Sequence, residues 1–124
     1  MNEIIPGLWI GDLQDAAREV NAKKMTVFSV IEGPSFSNYQ FVILGTGKVR
    51  VVSKDVLTHA AIILDGLLQK GPVLVHCGAG IERSPLMVTW YLLWKGLYPD
   101  LDSAFKFVQS KRPQAQDRTW WIDP

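Results

Sequence analysis

A short apolar strand, a loop that contains glycines and an apolar helix follow one another directly between residues 73 and 95. Val73–His76 has the composition of a buried strand, and Pro85–Lys95 is apolar almost all round, as in a buried helix. Lys70-Gly71-Pro72 separates this unit from the helix pattern before it. The unit predicts a loop held between a strand and a buried helix.

The remaining segments also alternate between strand and helix patterns. Strands are predicted at Leu8–Ile10, Met25–Ile31 and Tyr39–Leu44, with residues 48–52 extended. Helices are predicted at Leu13–Val20 after the cap Asp12, from the cap Ser53 to Lys70, and from the cap Asp100 to Lys111. For the second helix, the expected buried face comprises Val56, Ala60, Ile63, Leu64 and Leu67. The alternation predicts one α/β domain, residues 1–124, with a central mostly parallel sheet of about four to five strands flanked by helices.

Composition excludes several classes of protein. Hydrophobic residues make up 48% of the chain and charged residues 20%, which is enough to bury a core. The formal charge of +1 gives no reason to expect a nucleic-acid partner. One cysteine and two histidines provide neither an internal disulfide nor a metal-ligand cluster, and no apolar run approaches the roughly 20 residues of a membrane span. We expect a monomeric cytoplasmic protein without a signal peptide, metal or cofactor.

The loop after the strand contains the only cysteine, Cys77, and Arg83 follows six residues later. A strand that enters a tight loop and then a helix leaves several N–H groups pointing at one spot, and the helix dipole makes that spot an anion site. Gly78 and Gly80 allow the curled backbone. A guanidinium binds two phosphate oxygens at once, so these residues predict a phosphate site with a thiol at its floor.

Phosphate held in this loop would lie in line for attack by the thiolate of Cys77, giving a phosphocysteine. Backbone N–H groups and Arg83 would neutralise its equatorial oxygens, so no metal is required. The Ser84 hydroxyl is placed to donate to the sulfur and ease its departure during hydrolysis. The residues expected to form the phosphate cradle are Gly78, Ala79, Gly80, Ile81, Glu82 and Arg83.

The pattern His76-Cys77-x5-Arg83-Ser84 resembles the signature of cysteine-dependent protein tyrosine phosphatases, and its surroundings resemble the small dual-specificity branch. Ile4–Gly11 and Ala104–Pro113 are similar to other segments of that branch, so that the resemblance covers residues 4–113. It implies a compact α/β phosphatase with a shallow pocket. Its substrates would be phosphorylated proteins or peptides, with phosphotyrosine first and phosphoserine or phosphothreonine as further candidates. The resemblance assigns Cys77 as nucleophile, Arg83 as phosphate clamp and Ser84 as the group that assists the leaving thiolate.

One part of the family pattern is missing. Members usually carry an aspartate general acid roughly thirty residues before the cysteine, where this chain has Leu44–Lys48 and no acid. Asp55 is the candidate replacement, although its position also fits stabilisation of the first turn of a helix. Glu82 is a second candidate, but an inward carboxylate would repel phosphate, so we expect its side chain to be solvated. Because phenyl phosphates tolerate a missing acid better than alkyl phosphates, tyrosine-type substrates are favoured.

Three other functions remain open from the sequence. The missing acid fits a phosphate-binding relative with little turnover, and the same chemistry could act on an RNA 5′-phosphate or a phosphoinositide. The near-neutral charge argues against the last two substrates. A rhodanese-like sulfur carrier also uses a loop cysteine, but the resemblance along the chain disfavours it. Trp120 and Trp121 near the C-terminus would either pack on the domain or form a contact with a partner, and packing is favoured.

Overall fold

A computed structural model describes residues 1–31, 37–40 and 52–123. The strands within these ranges are β1 (Asn2–Ile5), β2 (Leu8–Gly11), β3 (Thr26–Ser29), β4 (Tyr39–Gln40) and β5 (Val73–His76). The helices are α1 (Leu13–Ala22), α2 (Lys54–Leu68), α3 (Arg83–Trp94) and α4 (Leu101–Lys111), followed by a short 3₁₀ helix at Thr119–Trp121. None of these helices has the length and apolar character needed to cross a membrane.

The five strands form one sheet in the order β1-β2-β5-β3-β4. β5 lies at the centre and pairs in parallel with β2 and β3, β4 pairs in parallel with β3, and β1 is antiparallel to β2. All four residues of β5 are buried. The predicted mostly parallel α/β sheet is therefore confirmed. Since parallel strands share one carboxyl edge, the loop after His76 emerges beside the ends of β2 and β3.

Several element boundaries differ from the prediction. The residue pattern predicted no strand before Leu8, but Asn2–Ile5 forms β1 because Gly7, with φ of 86°, lets the chain reverse and pair with β2. α3 begins at Arg83, two residues before the predicted start. Only the first two residues of the predicted strand Tyr39–Leu44 lie within the described ranges. The extended segment predicted at residues 48–52 lies outside them apart from Val52, which forms a bridge with Ile122.

The buried face of α2 was predicted incorrectly at one position. Ile63 is 38% exposed, whereas the positions buried in the core are Leu57, Ala60, Ala61 and Leu64. These four follow the spacing i, i+3, i+4 and i+7 of a single helix face. Because α2 carries apolar residues on most of its surface, the sequence pattern allowed more than one face.

Three helices begin with a side-chain cap and one does not. Asp12, Ser53 and Asp100 accept hydrogen bonds from the first-turn N–H groups of α1, α2 and α4, as predicted for each. Glu82 occupies the same position before α3 but makes no side-chain capping hydrogen bond. The N-terminus of α3 therefore keeps its positive end without a side-chain acceptor.

Candidate active site

The loop between β5 and α3 forms the floor of an open pocket of about 410 Å³. The pocket lies at the carboxyl edge of the sheet, where Cys77 follows the last residue of β5. Its lining residues are Ile31, Cys77, Gly78, Ala79, Ile81, Glu82 and Arg83. The structure thus brings together five of the six predicted cradle residues with the thiol, and Gly80 lies behind them in contact with Arg112 and Gly11.

Four successive carbonyl groups of the loop accept hydrogen bonds from the surrounding protein. The Gly78 oxygen accepts from the N–H of Leu13 at 3.0 Å, and the Ile81 oxygen accepts from the N–H of Gln116 at 2.8 Å. Arg112 donates to the two oxygens between them, those of Ala79 and Gly80. In a trans peptide, the C=O group and the following N–H group point in opposite directions. The N–H groups of residues 79–82 are therefore directed away from these partners, on the side of the anion site.

Arg112 holds the loop from behind and is almost fully buried. It donates from Nε to the Gly80 oxygen at 2.6 Å and from Nη1 to Oδ1 of Asn2 at 2.7 Å, so it joins the loop to β1 as well. Burial lowers the pKa of this guanidinium, while the negative charges of Asp15, Asp12 and Cys77 act in the opposite direction. Sequence analysis assigned Arg112 only to the end of a helix. No local pattern reveals its role, because its partners lie more than 30 positions earlier in the chain.

Gly80 is the loop position that tolerates a side chain least. Its φ of +70° is strained for other residues, and an added Cβ would lie 2.5 Å from Nη2 of Arg112 and 2.7 Å from the Gly11 oxygen. We predict that Gly80→Ala lowers the free energy of unfolding by about 2–4 kcal/mol in urea denaturation. Gly78→Ala is the matched control, since nothing lies within 4 Å of its Cβ position. It should lower the free energy of unfolding by less than about 1 kcal/mol. Equal losses in the two variants would contradict this account.

Cys77 and Ser84 are in direct contact at the floor of the pocket. The Sγ of Cys77 lies 3.2 Å from the Oγ of Ser84, Cys77 is 4% exposed and Ser84 is buried. A thiolate can only accept, so the Ser84 hydroxyl donates whenever the sulfur is ionised. The arrangement can therefore stabilise a negative sulfur both before attack and when it leaves phosphorus.

His76 supports the loop from inside the core. Its ring is fully buried, and Nδ1 lies 3.2 Å from the carbonyl oxygen of Cys77, so that Nδ1 carries the proton and donates. Nε2 has no hydrogen-bond partner among the described residues. Burial lowers the pKa of His76, although the hydrogen bond to Cys77 and the charge of Asp12 partly oppose it. The neutral ring is therefore the form that the folded protein favours.

This burial makes stability depend on pH. Because the pKa of His76 is lowered in the folded state, the unfolded chain binds the extra proton below about pH 6.5, its ordinary pKa. The contribution of the neutral ring is complete above that pH and is lost as the pH falls. We predict that from about pH 7.5 to 5.5 the free energy of unfolding falls more in the wild type than in His76→Asn. A parallel decline in the wild type and in His76→Asn would contradict the prediction.

Arg83 and Glu82 lie side by side at the mouth of the pocket with different partners. Arg83 makes no hydrogen bond or ion pair with any described residue, so its guanidinium remains available to an anion. Glu82 was expected to be solvated; its side chain is 41% exposed, and its Oε2 lies 3.3 Å from Nε of Arg118. Arg118 is a site residue that sequence analysis missed, because the pairing spans 36 positions.

The candidate acid Asp55 lies elsewhere in the described structure. It is exposed in the first turn of α2, where its N–H donates to the cap Ser53, and it does not line the pocket. Leu44–Lys48, where the family acid is missing, lies outside the described residues. Among the described residues, no group of three or more His, Cys, Asp or Glu could hold a metal ion.

A thiol held against a hydroxyl beneath a ring of loop N–H groups, with an available guanidinium beside it, defines a cysteine-dependent phosphatase site on an α/β fold. The family model described as "Dual specificity phosphatase, catalytic domain" matches residues 15–122. The chain belongs to this family and is a protein phosphatase, a phosphoric monoester hydrolase, as the sequence analysis predicted.

Individual relatives agree with this assignment. Protein 123R of Invertebrate iridescent virus 6, which is named as a tyrosine phosphatase, is 30% identical over 115 residues, 89% of this chain and 78% of the viral protein. The MAP kinase phosphatase with leucine-rich repeats protein 3 of Dictyostelium discoideum is 30% identical over 130 residues, which cover 98% of this chain but 15% of that protein. The chain thus spans most of one relative and a small part of the other.

Solved structures show the same fold. The human tyrosine phosphatase-like serine/threonine/tyrosine-interacting protein aligns with a TM-score of 0.78 and 25% identity, over 98% of this chain and 89% of that one. Human DUSP28 aligns with a TM-score of 0.74 and 19% identity, over 98% and 90%. Both alignments include β1 and the C-terminal segment, because they cover nearly the whole chain.

Proposed function

We propose that the protein hydrolyses phosphotyrosine in phosphorylated proteins through a phosphocysteine on Cys77, with phosphoserine and phosphothreonine as slower substrates. The observation that carries this proposal is the contact between the Cys77 sulfur and the Ser84 hydroxyl, at the floor of a pocket bordered by Arg83. This is the combination that thiolate attack on phosphorus requires, namely a stabilised sulfur anion and positive groups around the phosphoryl oxygens.

The reaction proceeds in two displacements. The thiolate of Cys77 attacks phosphorus and forms an S–P bond, while the ester P–O bond breaks and the leaving oxygen departs with the bonding pair and takes up a proton. Water then attacks phosphorus and gives up a proton, the S–P bond breaks and the thiolate is restored with inorganic phosphate as product. Arg83 and the loop N–H groups bind the equatorial oxygens in both steps, and Ser84 donates to the sulfur as it leaves.

The preference for phosphotyrosine comes from the leaving group. Glu82 is the only carboxylate among the described pocket residues, and its Oε2 is already held by Nε of Arg118 at 3.3 Å. Asp55 remains the candidate acid from the sequence, at an exposed site on α2. A phenol, with a pKa near 10, leaves without protonation far more readily than an alkyl alcohol, which is a much weaker acid. A substrate that supplies a good leaving group therefore suits this site.

Two further proposals concern the setting of the reaction. A catalytic thiol must stay reduced, and this requirement supports a cytoplasmic protein. The Arg112 side chain joins β1, the phosphate loop and the end of α4, which supports residues 1–124 acting as one catalytic domain. The contact between Arg112 and Asn2 joins residues 110 positions apart.

The test is a denaturing quench of the protein mixed with a radiolabelled phosphotyrosine peptide. We expect turnover accompanied by label on the protein, and prior alkylation of Cys77 with iodoacetamide should abolish both. Matched phosphoserine peptide, RNA 5′-phosphate and phosphoinositide give the substrate order, and thiosulfate tests sulfur transfer. Turnover that survives alkylation, or sulfur transfer without phosphate release, would overturn the proposal. Phosphopeptide binding without release would instead identify a phosphate-binding relative with little turnover.

A further inference from the structure

Glu82 places a carboxylate at a site built for an anion. It lines the same pocket as Cys77 and Arg83 and occupies the position just before the first turn of α3. A phosphate monoester bound there carries two negative charges near neutral pH, so an uncompensated carboxylate at the pocket mouth opposes its binding. The side chain is 41% exposed, and solvent screens only part of this repulsion.

Arg118 compensates that charge from the segment that follows α4. Its Nε lies 3.3 Å from Oε2 of Glu82. The guanidinium is fixed by Nη2 donating to Oε1 of Gln116 at 2.6 Å and by stacking 5.4 Å from the ring centre of the buried Trp121. Gln116 in turn donates its backbone N–H to the oxygen of Ile81, next to Glu82. The arginine is therefore held in place before any ligand arrives.

The solvent exposure of the Glu82–Arg118 pair limits its contribution to the stability of the fold. The two side chains are 26% and 41% exposed, and such pairs add little to the stability of a fold. Their position matters more than their strength, because the pair lies beside Arg83, which has no partner among the described residues. Because Arg118 neutralises the charge of Glu82, Arg83 and the loop N–H groups give the pocket a net positive charge.

We propose that Arg118 is a positioning residue for phosphate binding, which acts by pairing with Glu82 and so keeping the pocket mouth positive. This inference rests on the proposed phosphatase function and adds a specificity element to the same site. Arg118 does not touch the phosphate. Its contribution is made in the binding of a dianion and is therefore expected in KM rather than in kcat.

The experiment compares Arg118→Gln, Glu82→Gln and the double variant. For an aryl phosphate at low salt, we expect Arg118→Gln to raise KM about tenfold and to change kcat by less than about threefold. Glu82→Gln should lower KM about twofold to threefold, and adding it to Arg118→Gln should return KM to within about twofold of the Glu82→Gln value. Arg118→Lys, which keeps the charge, should lie within about threefold of the wild type. The KM gap between wild type and Arg118→Gln should narrow in high salt.

The double variant separates electrostatics from structure. If Arg118 acted only by bracing Gln116 and Trp121, the double variant would stay as impaired as Arg118→Gln, and this result would overturn the proposal. Unfolding midpoints of all variants within about 4 °C of the wild type confirm that each remains folded. Calorimetric titration with inorganic phosphate repeats the comparison without turnover. Rescue of phosphate affinity by Glu82→Gln would uphold the pairing even if the protein failed to hydrolyse any ester, whereas equal phosphate affinities in all four proteins would overturn it.

Discussion

Replacing Cys77 with serine is expected to lower kcat for aryl phosphate by at least about 10³-fold, which corresponds to about 4 kcal/mol of transition-state stabilisation. A serine hydroxyl is almost fully protonated at neutral pH, and no described group within hydrogen-bonding distance of position 77 can accept its proton. Among the described residues, the side-chain hydrogen-bond partner of the sulfur is the Ser84 hydroxyl, at 3.2 Å. The substitution therefore removes the nucleophile and keeps the shape of the pocket floor.

Phosphate binding distinguishes loss of the nucleophile from loss of the site. The affinity of Cys77→Ser for inorganic phosphate, measured by calorimetry, should stay within about threefold of the wild type or become tighter, because the repulsion from a thiolate is gone. Ser84→Ala is the contrasting variant, which keeps the thiol and slows the second displacement, so that labelled phosphocysteine accumulates. Retained turnover in Cys77→Ser, or loss of phosphate binding with it, would refute the assignment of Cys77.

Local periodicity was sufficient to predict most elements of the fold. β5 and the caps Asp12, Ser53 and Asp100 follow from residue types within a few positions of each other, and the structure places each as predicted. Errors arose where the choice depends on pairing or packing rather than on residue type alone. β1 exists because it pairs with β2, and the buried face of α2 is selected by the elements that it packs against.

The candidate site also contains residues that the sequence could reveal and residues that it could not. The thiol, the clamp and the cradle lie within residues 77–84, so their spacing could be recognised in the sequence, and the structure brings them to one pocket. Their catalytic roles stay predictions. Arg112 and Arg118 could not be recognised, because a side chain that reaches 32 or 36 positions back leaves no periodic signal. Both lie in the C-terminal part of the chain, where the sequence predicted only the end of a helix and the packing of two tryptophans.

Trp120 and Trp121 illustrate the limit of pattern alone. Packing was expected for both, yet Trp121 is buried while Trp120 is 70% exposed, with the two rings edge to face at 5.7 Å. The backbone of this segment is fixed by pairing of Val52 with Trp121 and Asp123, which determines the side that each ring faces. The sequence does not show which of two adjacent tryptophans is buried, because that depends on the backbone pairing of the segment.

Substitution of Arg83 should have the second largest effect on activity. We predict that Arg83→Ala lowers kcat/KM for aryl phosphate by about 10²–10³-fold, comparable to removal of one oxyanion donor elsewhere. Arg83→Lys keeps the charge but loses the planar fork, and should recover only part of this loss, about tenfold. Since Arg83 has no hydrogen bond or ion pair to any described residue, the free energy of unfolding measured in urea should change by less than about 0.5 kcal/mol in either variant.

Arg83, which lines the pocket, and Arg118, which pairs with Glu82, provide a control for each other. Arg118 supplies a positive charge to its pair with Glu82, and lysine preserves that charge. Arg118→Lys should therefore change KM by less than about threefold. The same change at Arg83 removes a bidentate contact that a point charge cannot reproduce. A fork is needed only where phosphate oxygens are bound directly, and the contrast between Arg83→Lys and Arg118→Lys therefore identifies which arginine touches the substrate. Equal sensitivity at the two positions would mean that Arg83 acts through its charge alone and that the loop N–H groups hold the phosphate.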